Sequence, residues 1–396
     1  MRSLQFSGKS LTCLFTLLVI AKSSLGSPDA PIEIKPLSEE RAKEYKLDAA
    51  FYKKCVLAQG ILTASSDKVS DYAHLEAAYL LDLVMRDLKP PIAQRIRDRK
   101  VVCIVVGHDE LVSNLPQFAS DKKGKELDFY NWRNRGFLSS RNGHPTVLVS
   151  EEDVMEYEGG QRRESVLIHE FGHAIDGSGF DKELHARLTG AFEHAKAKGL
   201  WNDGYAAQRF ERVKSKTPVG LFDALVKSFP AQLPELLRKC LDGGDILVNG
   251  KATHSKVEIT KADKVLIVFG GPKQCYAALN PAEYWAESVQ CWYDCGRTND
   301  HDHNSIHTRA QLKVYDPEMA NLCEEVFGDS EWRFISPRNR AGKGHLKGYN
   351  PATAPKVVRP DYIEKAGLDY YDTYWKSYWK RLYDKYALTE QPVRSK

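Results

Sequence analysis

Beyond its first 26 residues the chain has no apolar run approaching the roughly 20 residues that cross a bilayer, so no membrane span is expected. It has no internal repeat and no low-complexity tract, and its composition is that of an ordinary globular protein. No CxxC pair occurs, which argues against a zinc site built from cysteines. Charge of one sign is also scarce. The formal net charge is +4, and the three positive side chains among the first 26 residues bring it to +1 if that segment is removed. Neither value supports a nucleic-acid partner or an anionic membrane surface.

What is present is 396 residues, 42% of them hydrophobic, enough for one large or two medium domains. The opening "MRSLQFSGKSLTCLFTLLVIAKSSLG" combines basic Arg2 and Lys9, an apolar stretch from Leu11 to Ala21, and small Ser24 and Gly26 before a cleavage point. That is the pattern of a secretory signal peptide, residues 1–26. The cysteines left after it are Cys55, Cys103, Cys240, Cys275, Cys291, Cys295 and Cys323, an odd number in a chain bound for an oxidising compartment. Up to three disulfides and one free thiol are expected.

The spacing of Tyr79, Leu80, Leu83 and Val84 predicts a helical segment from Ser38 to about Leu88, closed by "KPP". "KVVCIVVG" (Lys100 to Gly107) reads as a buried strand, and "PTVLVSEED" (Pro145 to Asp153) as a second one nearer a sheet edge. A helix through "ESVLIHEFGHAIDG" follows, with Leu167, Phe171 and Ala174 on one stripe. Further helices are expected over Leu184 to Lys198, over Leu221 to Cys240, through "AEYWAESVQCWYD", and on to about Val326. A hairpin is expected of "DILVNGK" against "KVEITKADKVLIVFGG".

His169 and His173 stand four apart on the "HEFGH" helix, so both imidazoles project from one face and can reach one ion at about 2.0–2.1 Å. Glu170, one residue round, can hold a water on that ion and take its proton. Three polar residues in the middle of an apolar helix would cost several kcal/mol if buried without a ligand. A catalytic zinc ordinarily takes a third protein ligand. The HExxHxxGxxH pattern fails, because Asp176 and Gly179 occupy its glycine and last histidine positions. Two glutamate sources remain on spacing alone. Glu193 lies twenty residues beyond His173, but Ala197 replaces the acidic residue expected four positions after it. "CYAALNPAEYWAES" offers Glu283 and Glu287, again on one helical face, one for the metal and one to orient a histidine.

"HEFGHAID" followed by "YAALNPAEYWAE" resembles the catalytic domain of anthrax lethal factor and its gluzincin relatives. The resemblance implies an α+β zincin-like fold with the HExxH helix, a small mixed sheet and a second, glutamate-bearing helix. It implies one zinc ion held by His169, His173 and Glu283, with Glu287 as the partner of a ligand histidine. Tyr276, seven residues before Glu283, corresponds to the tyrosine that donates to the oxyanion. The order of strand, HExxH helix, glutamate helix and "TRAQLKVYDP" is similar to that of a group of secreted zinc metalloproteases. The likeness spans about residues 100–330. The stretch from His173 to Glu283 is longer than in lethal factor, and residues 181–271 are read as an insertion, so substrate preference does not carry over.

The crowded His301, His303 and His307 are read as a polar loop rather than a second metal site, and Arg309 as structural. Residues 336–396 form a C-terminal extension ending in an aromatic helix, with the stripe Tyr371, Tyr374, Tyr378 and Leu382 packing on the body. By analogy with zincins, Thr146 to Ser150 is expected to pair with an extended substrate. The expectation is a secreted zinc endopeptidase, residues 27–335 forming its catalytic domain, acting on protein or peptide substrates through a water activated by Glu170. The competing expectation is a secreted binding or cell-surface interaction protein with a catalytically idle zincin fold.

Overall fold

The computed structural model describes residues 32–140, 143–162, 164–202, 274–298 and 302–370 with Thr373, and the strand backbone of 204–210, 247–248, 251–252, 255–260 and 264–273. The leader 1–26, the helix expected from Leu221 to Cys240, His301 and the stripe Tyr371, Tyr374, Tyr378, Leu382 lie outside the described residues.

The fold is α+β. Its six-stranded mixed sheet runs in the order β1 (Lys35–Pro36), β2 (Lys54–Ala58), β3 (Ile61–Ser65), β4 (Val102–Val106), β6 (Thr146–Ser150), β5 (Phe137–Ser139). The helical segment expected from Ser38 is interrupted: α1 (Glu39–Glu44) stops early, and β2 and β3 form an antiparallel hairpin. Its turn is Gln59 and Gly60, both with positive φ (48° and 84°), which matches the twist of tightly connected strands. The helical period holds only from α2 (Asp71–Asp87), where Ser70 caps the first turn.

Strands β3, β4 and β6 are mutually parallel, so each connection must cross over the sheet. Helices α2 and α3 (Pro90–Asp98) make the first crossover; α4 (Lys125–Arg133) and β5 belong to the second. Residues alternate in the centre of the sheet. Cys103, Val105, Val147 and Val149 join the large core under α2, α3 and the HEFGH helix α6 (Val166–Gly179), which follows the short α5 (Glu151–Val154). Val102, Ile104, Val106 and Leu148 join a second cluster with Tyr52, Phe118 and Tyr130. The strand expected near an edge, β6, is therefore interior: β5 pairs with it antiparallel and becomes the edge. Its burial on both faces explains why "TVLVS" contains no exposed position.

Helix α7 (Lys182–Ala197), within the stretch 181–271 read as an insertion, buries Leu188, Ala191, Phe192 and Ala195 in the main core. The Cys275 amide donates to the Trp201 carbonyl at 2.8 Å, joining the exit and return of the excursion. Within it, β10 (Ser255–Thr260), β11 (Lys264–Lys273) and β7 (Gly204–Phe210) form an antiparallel sheet in that order. The single hairpin expected here is two. β8 (Leu247–Val248) pairs antiparallel with β9 (Lys251–Ala252), and β10 with β11.

The chain then forms α8 (Pro281–Trp292), α9 (Arg309–Tyr315) and α10 (Pro317–Phe327). Pro317 has no N–H to continue α9, and Asp316 caps α10 by accepting from the Met319 amide at 3.3 Å. Residues 336–359 are strapped to the body. Buried Glu76 pairs with both Arg340 and His345, the Val357 amide donates to the Glu158 carbonyl at 2.8 Å, and Arg359 reaches Glu152 at 3.3 Å. Residues 361–370 are helical.

The disulfides expected from the cysteine count are absent among the described residues: Cys55, Cys103, Cys275, Cys291, Cys295 and Cys323 are buried without one, and Cys240 lies outside them. Burial pushes the Cys103 thiol up to about 12, so it stays a protonated, unreactive core side chain. No helix among the described residues is long and apolar enough to cross a membrane.

Candidate metal centre

Helix α6 is anchored at its start by Ser165, whose hydroxyl accepts from the Ile168 amide at 3.4 Å and whose amide donates to the Cys295 carbonyl at 3.1 Å. Leu167, Ile168, Phe171, Ala174 and Ile175 face the core, which leaves His169, Glu170 and His173 along the cleft. Helix α8 packs across α6 at two small residues. A β-carbon on Gly172 would lie 3.2 Å from the Ala286 α-carbon, and the Trp285 indole N–H donates to the Gly172 carbonyl at 2.9 Å. This close approach brings Glu283 and Glu287, one helical turn apart and either side of Ala286, to the histidines.

Glu283 Oε2 lies 3.2 Å from His169 Nε2 and 3.2 Å from His173 Nε2, and ligand atoms of all three fall within 4.8 Å of one another. Ligands about 2.0–2.1 Å from a tetrahedral zinc stand roughly 3.3 Å apart, so the donor set and both measured edges fit that ion. The tautomer of His169 follows from its other face. Gln290 Nε2 donates to Glu164 and to the Ser165 carbonyl, so its Oε1 is left to accept from His169 Nδ1 at 3.1 Å. Glu287 Oε1 is 3.4 Å from the same nitrogen. In the neutral ring that proton stays on Nδ1, which would leave the Nε2 lone pair for an ion between Glu283 and His173.

The electrostatics favour positive charge at this point. Burial acts to lower the His169 pKa, but hydrogen bonding with Glu283 and Glu287 outweighs it and raises the group well above its ordinary value. Burial likewise opposes ionisation of Glu283, and the two histidines overcome it, holding the carboxyl at about 2. Glu287 is depressed for the same kind of reason, chiefly by His303 and His169. Glu170 behaves oppositely: burial raises it, only partly offset by the histidines. A buried carboxylate that is less acidic than usual is suited to accept and release a proton. Tyr276, in the 3₁₀ turn Tyr276–Ala278, donates to Glu283 Oε1 at 3.2 Å, and burial and Glu283 raise its pKa, keeping the phenol protonated.

These groups line one cavity of about 900 Å³, with Gly136, Phe137 and Leu138 of the β5 edge on one wall. Gly136 is required there. A β-carbon on it would sit 2.4 Å from Val166 Cγ1 and 3.6 Å from Glu170 Oε1. Of the residues singled out in the sequence, His169, Glu170, His173, Tyr276, Glu283 and Glu287 meet in this cavity. Glu193 does not: it is exposed on α7.

Of the crowded loop histidines, His303 and His307 are described, and both contact other groups. His303 is buried, its Nε2 3.2 Å from Glu287 Oε2 and its Nδ1 accepting from Arg297 Nε at 3.1 Å. Arg297 in turn pairs with Glu164 at 3.1 Å, closing a ring of side chains behind His169 through Gln290. His307 is spent locally, its Nδ1 3.0 Å from the Ser305 carbonyl oxygen. Arg309 is structural as expected, stacked 4.0 Å over Trp292 and donating to the Trp292 carbonyl. Gln290, Arg297, Glu164 and Gly136 carry no signal in their local spacing; a glutamine one turn past Glu287 is the nearest thing to one. Comparison with known protein families, with curated proteins and with solved structures finds no match.

Proposed function

We propose that this chain is a secreted zinc-dependent endopeptidase of zincin type. The observation that carries the reading is the placement of His169 Nε2 and His173 Nε2 each 3.2 Å from Glu283 Oε2, with buried Glu170 in the same cavity. The likeness of "HEFGHAID" and "YAALNPAEYWAE" to the lethal factor domain supports it independently of geometry. His169, His173 and Glu283 would hold the zinc, which would supply Lewis acidity and a water of pKa near about 7.

The chain's own groups do the rest. Glu170 takes the proton of the attacking water and delivers it to the departing amine nitrogen. The Tyr276 phenol turns from Glu283 to the substrate oxygen and donates to the negative charge that develops there. Glu287 and Gln290 hold the His169 ring, and His303 with Arg297 holds Glu287. The edge strand that an extended substrate joins is β5, because β6 is paired on both sides. Export through residues 1–26 is part of the reading, and the buried thiols make disulfides unnecessary to it.

The test is zinc content of the purified mature chain together with digestion of a peptide library. One zinc per chain, cleavage by wild type, and loss of about 10²- to 10⁴-fold in Glu170→Gln with zinc retained are expected. A catalytically idle binding protein gives zinc without cleavage in wild type.

A further inference from the structure

Among the described residues, four arginines line the cleft: Arg133, Arg135, Arg297 and Arg359. Three are matched by carboxylates. Buried Arg135 forms a two-pronged pair with Glu152, Arg297 pairs with Glu164 at 3.1 Å, and Arg359 reaches Glu152 and Glu364 at 3.3 and 3.6 Å. Arg133 is different. It is exposed at the last residue of α4 and makes no hydrogen bond or ion pair with any described residue. Only residues 134–136 separate it from β5, so Arg133 lines the same cavity as the strand edge along which an extended chain would lie.

No carboxylate of a described residue pairs with Arg133, although its charge is felt by Glu170. Glu283 and Glu287 are engaged by histidines, Glu164 by Arg297, and Asp176 by His185 at 3.1 Å. Trp132, half-buried beside Arg133, packs in tilted ring contacts with Phe129 and Tyr370 at 5.9 and 5.5 Å and, with Tyr370, gives that part of the cavity an apolar lining. An apolar wall next to an unmatched guanidinium strengthens its attraction for an anion, and the planar fork accepts a carboxylate through two parallel hydrogen bonds.

We propose that Arg133 is a substrate-recognition residue that takes a carboxylate of the peptide, so that the cleft selects acidic peptides. This rests on the peptidase reading for the meaning of the cleft, and it names the substrate class. The influence of Arg133 reaches the reacting groups as well, since its charge lowers both Glu170 and Tyr276 in opposition to their burial. The carboxylate has two sources, an Asp or Glu side chain or the C-terminal carboxylate of the substrate.

The experiment uses the full mature zinc-loaded chain carrying Glu170→Gln, immobilised, and two pools of random decapeptides, one with free C-termini and one amidated. Captured peptides are sequenced by mass spectrometry and compared with capture by Glu170→Gln/Arg133→Gln of equal zinc content. Enrichment of Asp and Glu of about tenfold in both pools, lost in the double variant, assigns the side-chain source. Preferred capture of the free-acid pool without such enrichment, again lost with Arg133, assigns the C-terminal source. Enrichment that survives Arg133→Gln, equal capture of acidic and neutral peptides, or no capture overturns the proposal. Digestion of the same pools by wild type reads the peptidase separately: acidic peptides bound through Arg133 but never cut would leave this assignment standing and remove the catalytic one.

Discussion

Gly172 and Ala286 meet so closely that a β-carbon on the glycine would lie 3.2 Å from the Ala286 α-carbon and 3.5 Å from its β-carbon. This contact sets the spacing between the helix that carries both histidines and the helix that carries both glutamates. Gly172→Val is expected to force them apart and to cost about 1–3 kcal/mol of stability as overpacking. Zinc affinity should fall with it, because the 3.2 Å edges of the cluster depend on that spacing. Denaturant unfolding and a competitive zinc titration read the two effects; a variant with full zinc affinity would show that the helices find their distance elsewhere.

Glu283→Ala should abolish tight zinc binding, whereas Glu193→Ala should leave it within about twofold, because Glu193 is exposed on α7. Zinc content after dialysis against a weak chelator measures both. The reverse pattern would replace Glu283 as the third ligand.

His303→Gln and Glu287→Gln act on the metal only through His169. Each is expected to lower zinc affinity by about 10- to 100-fold, the range for partners of a ligating histidine. Arg297→Gln should do less, since it reaches the cluster only through His303. Metal titration of the three variants gives the order, and equal affinities for all three would make the buried ring a packing feature only.

A pH effect on stability follows from His74. It is fully buried on α2 beside Ser65, and burial, reinforced by Lys54, lowers its pKa to about 4. The folded group therefore stays neutral while the unfolded one takes a proton below about 6.5. Stability from this group is complete above that value and is lost as pH falls toward about 4. Between about pH 7 and about pH 5 the loss is about 2 kcal/mol. Urea unfolding at both values should show a smaller drop for His74→Gln than for wild type; an equal drop would mean that His74 titrates normally in the fold.

The elements differ in how far they could be read from the chain itself. "KVVCIVVG" and the HEFGH helix are legible because a β-branched apolar run and a capped 3.6-residue period each have one cheap conformation. The β2–β3 hairpin was hidden within an apparent helical period, although "AQGI" at Gln59 and Gly60 was its local sign. The rank of β6 in the sheet had no local sign: an interior strand and an edge strand differ in what pairs with them, not in their own residues.

The sequence by itself determined a helix presenting His169, Glu170 and His173 on adjacent positions, because helical geometry fixes what stands one and four residues apart. It also marked Tyr276, Glu283 and Glu287 through their own helical spacing and a family likeness. Only the tertiary structure decided that these two helices cross at Gly172 and Ala286, that β5 is the open edge, and that His303 returns to Glu287 from a loop. Among the described residues it alone also left Arg133 without a carboxylate partner while matching the other three cleft arginines. The reason is physical: spacing along a chain constrains neighbours within about a turn, whereas burial, partner and charge balance belong to whatever the folded chain brings from far away.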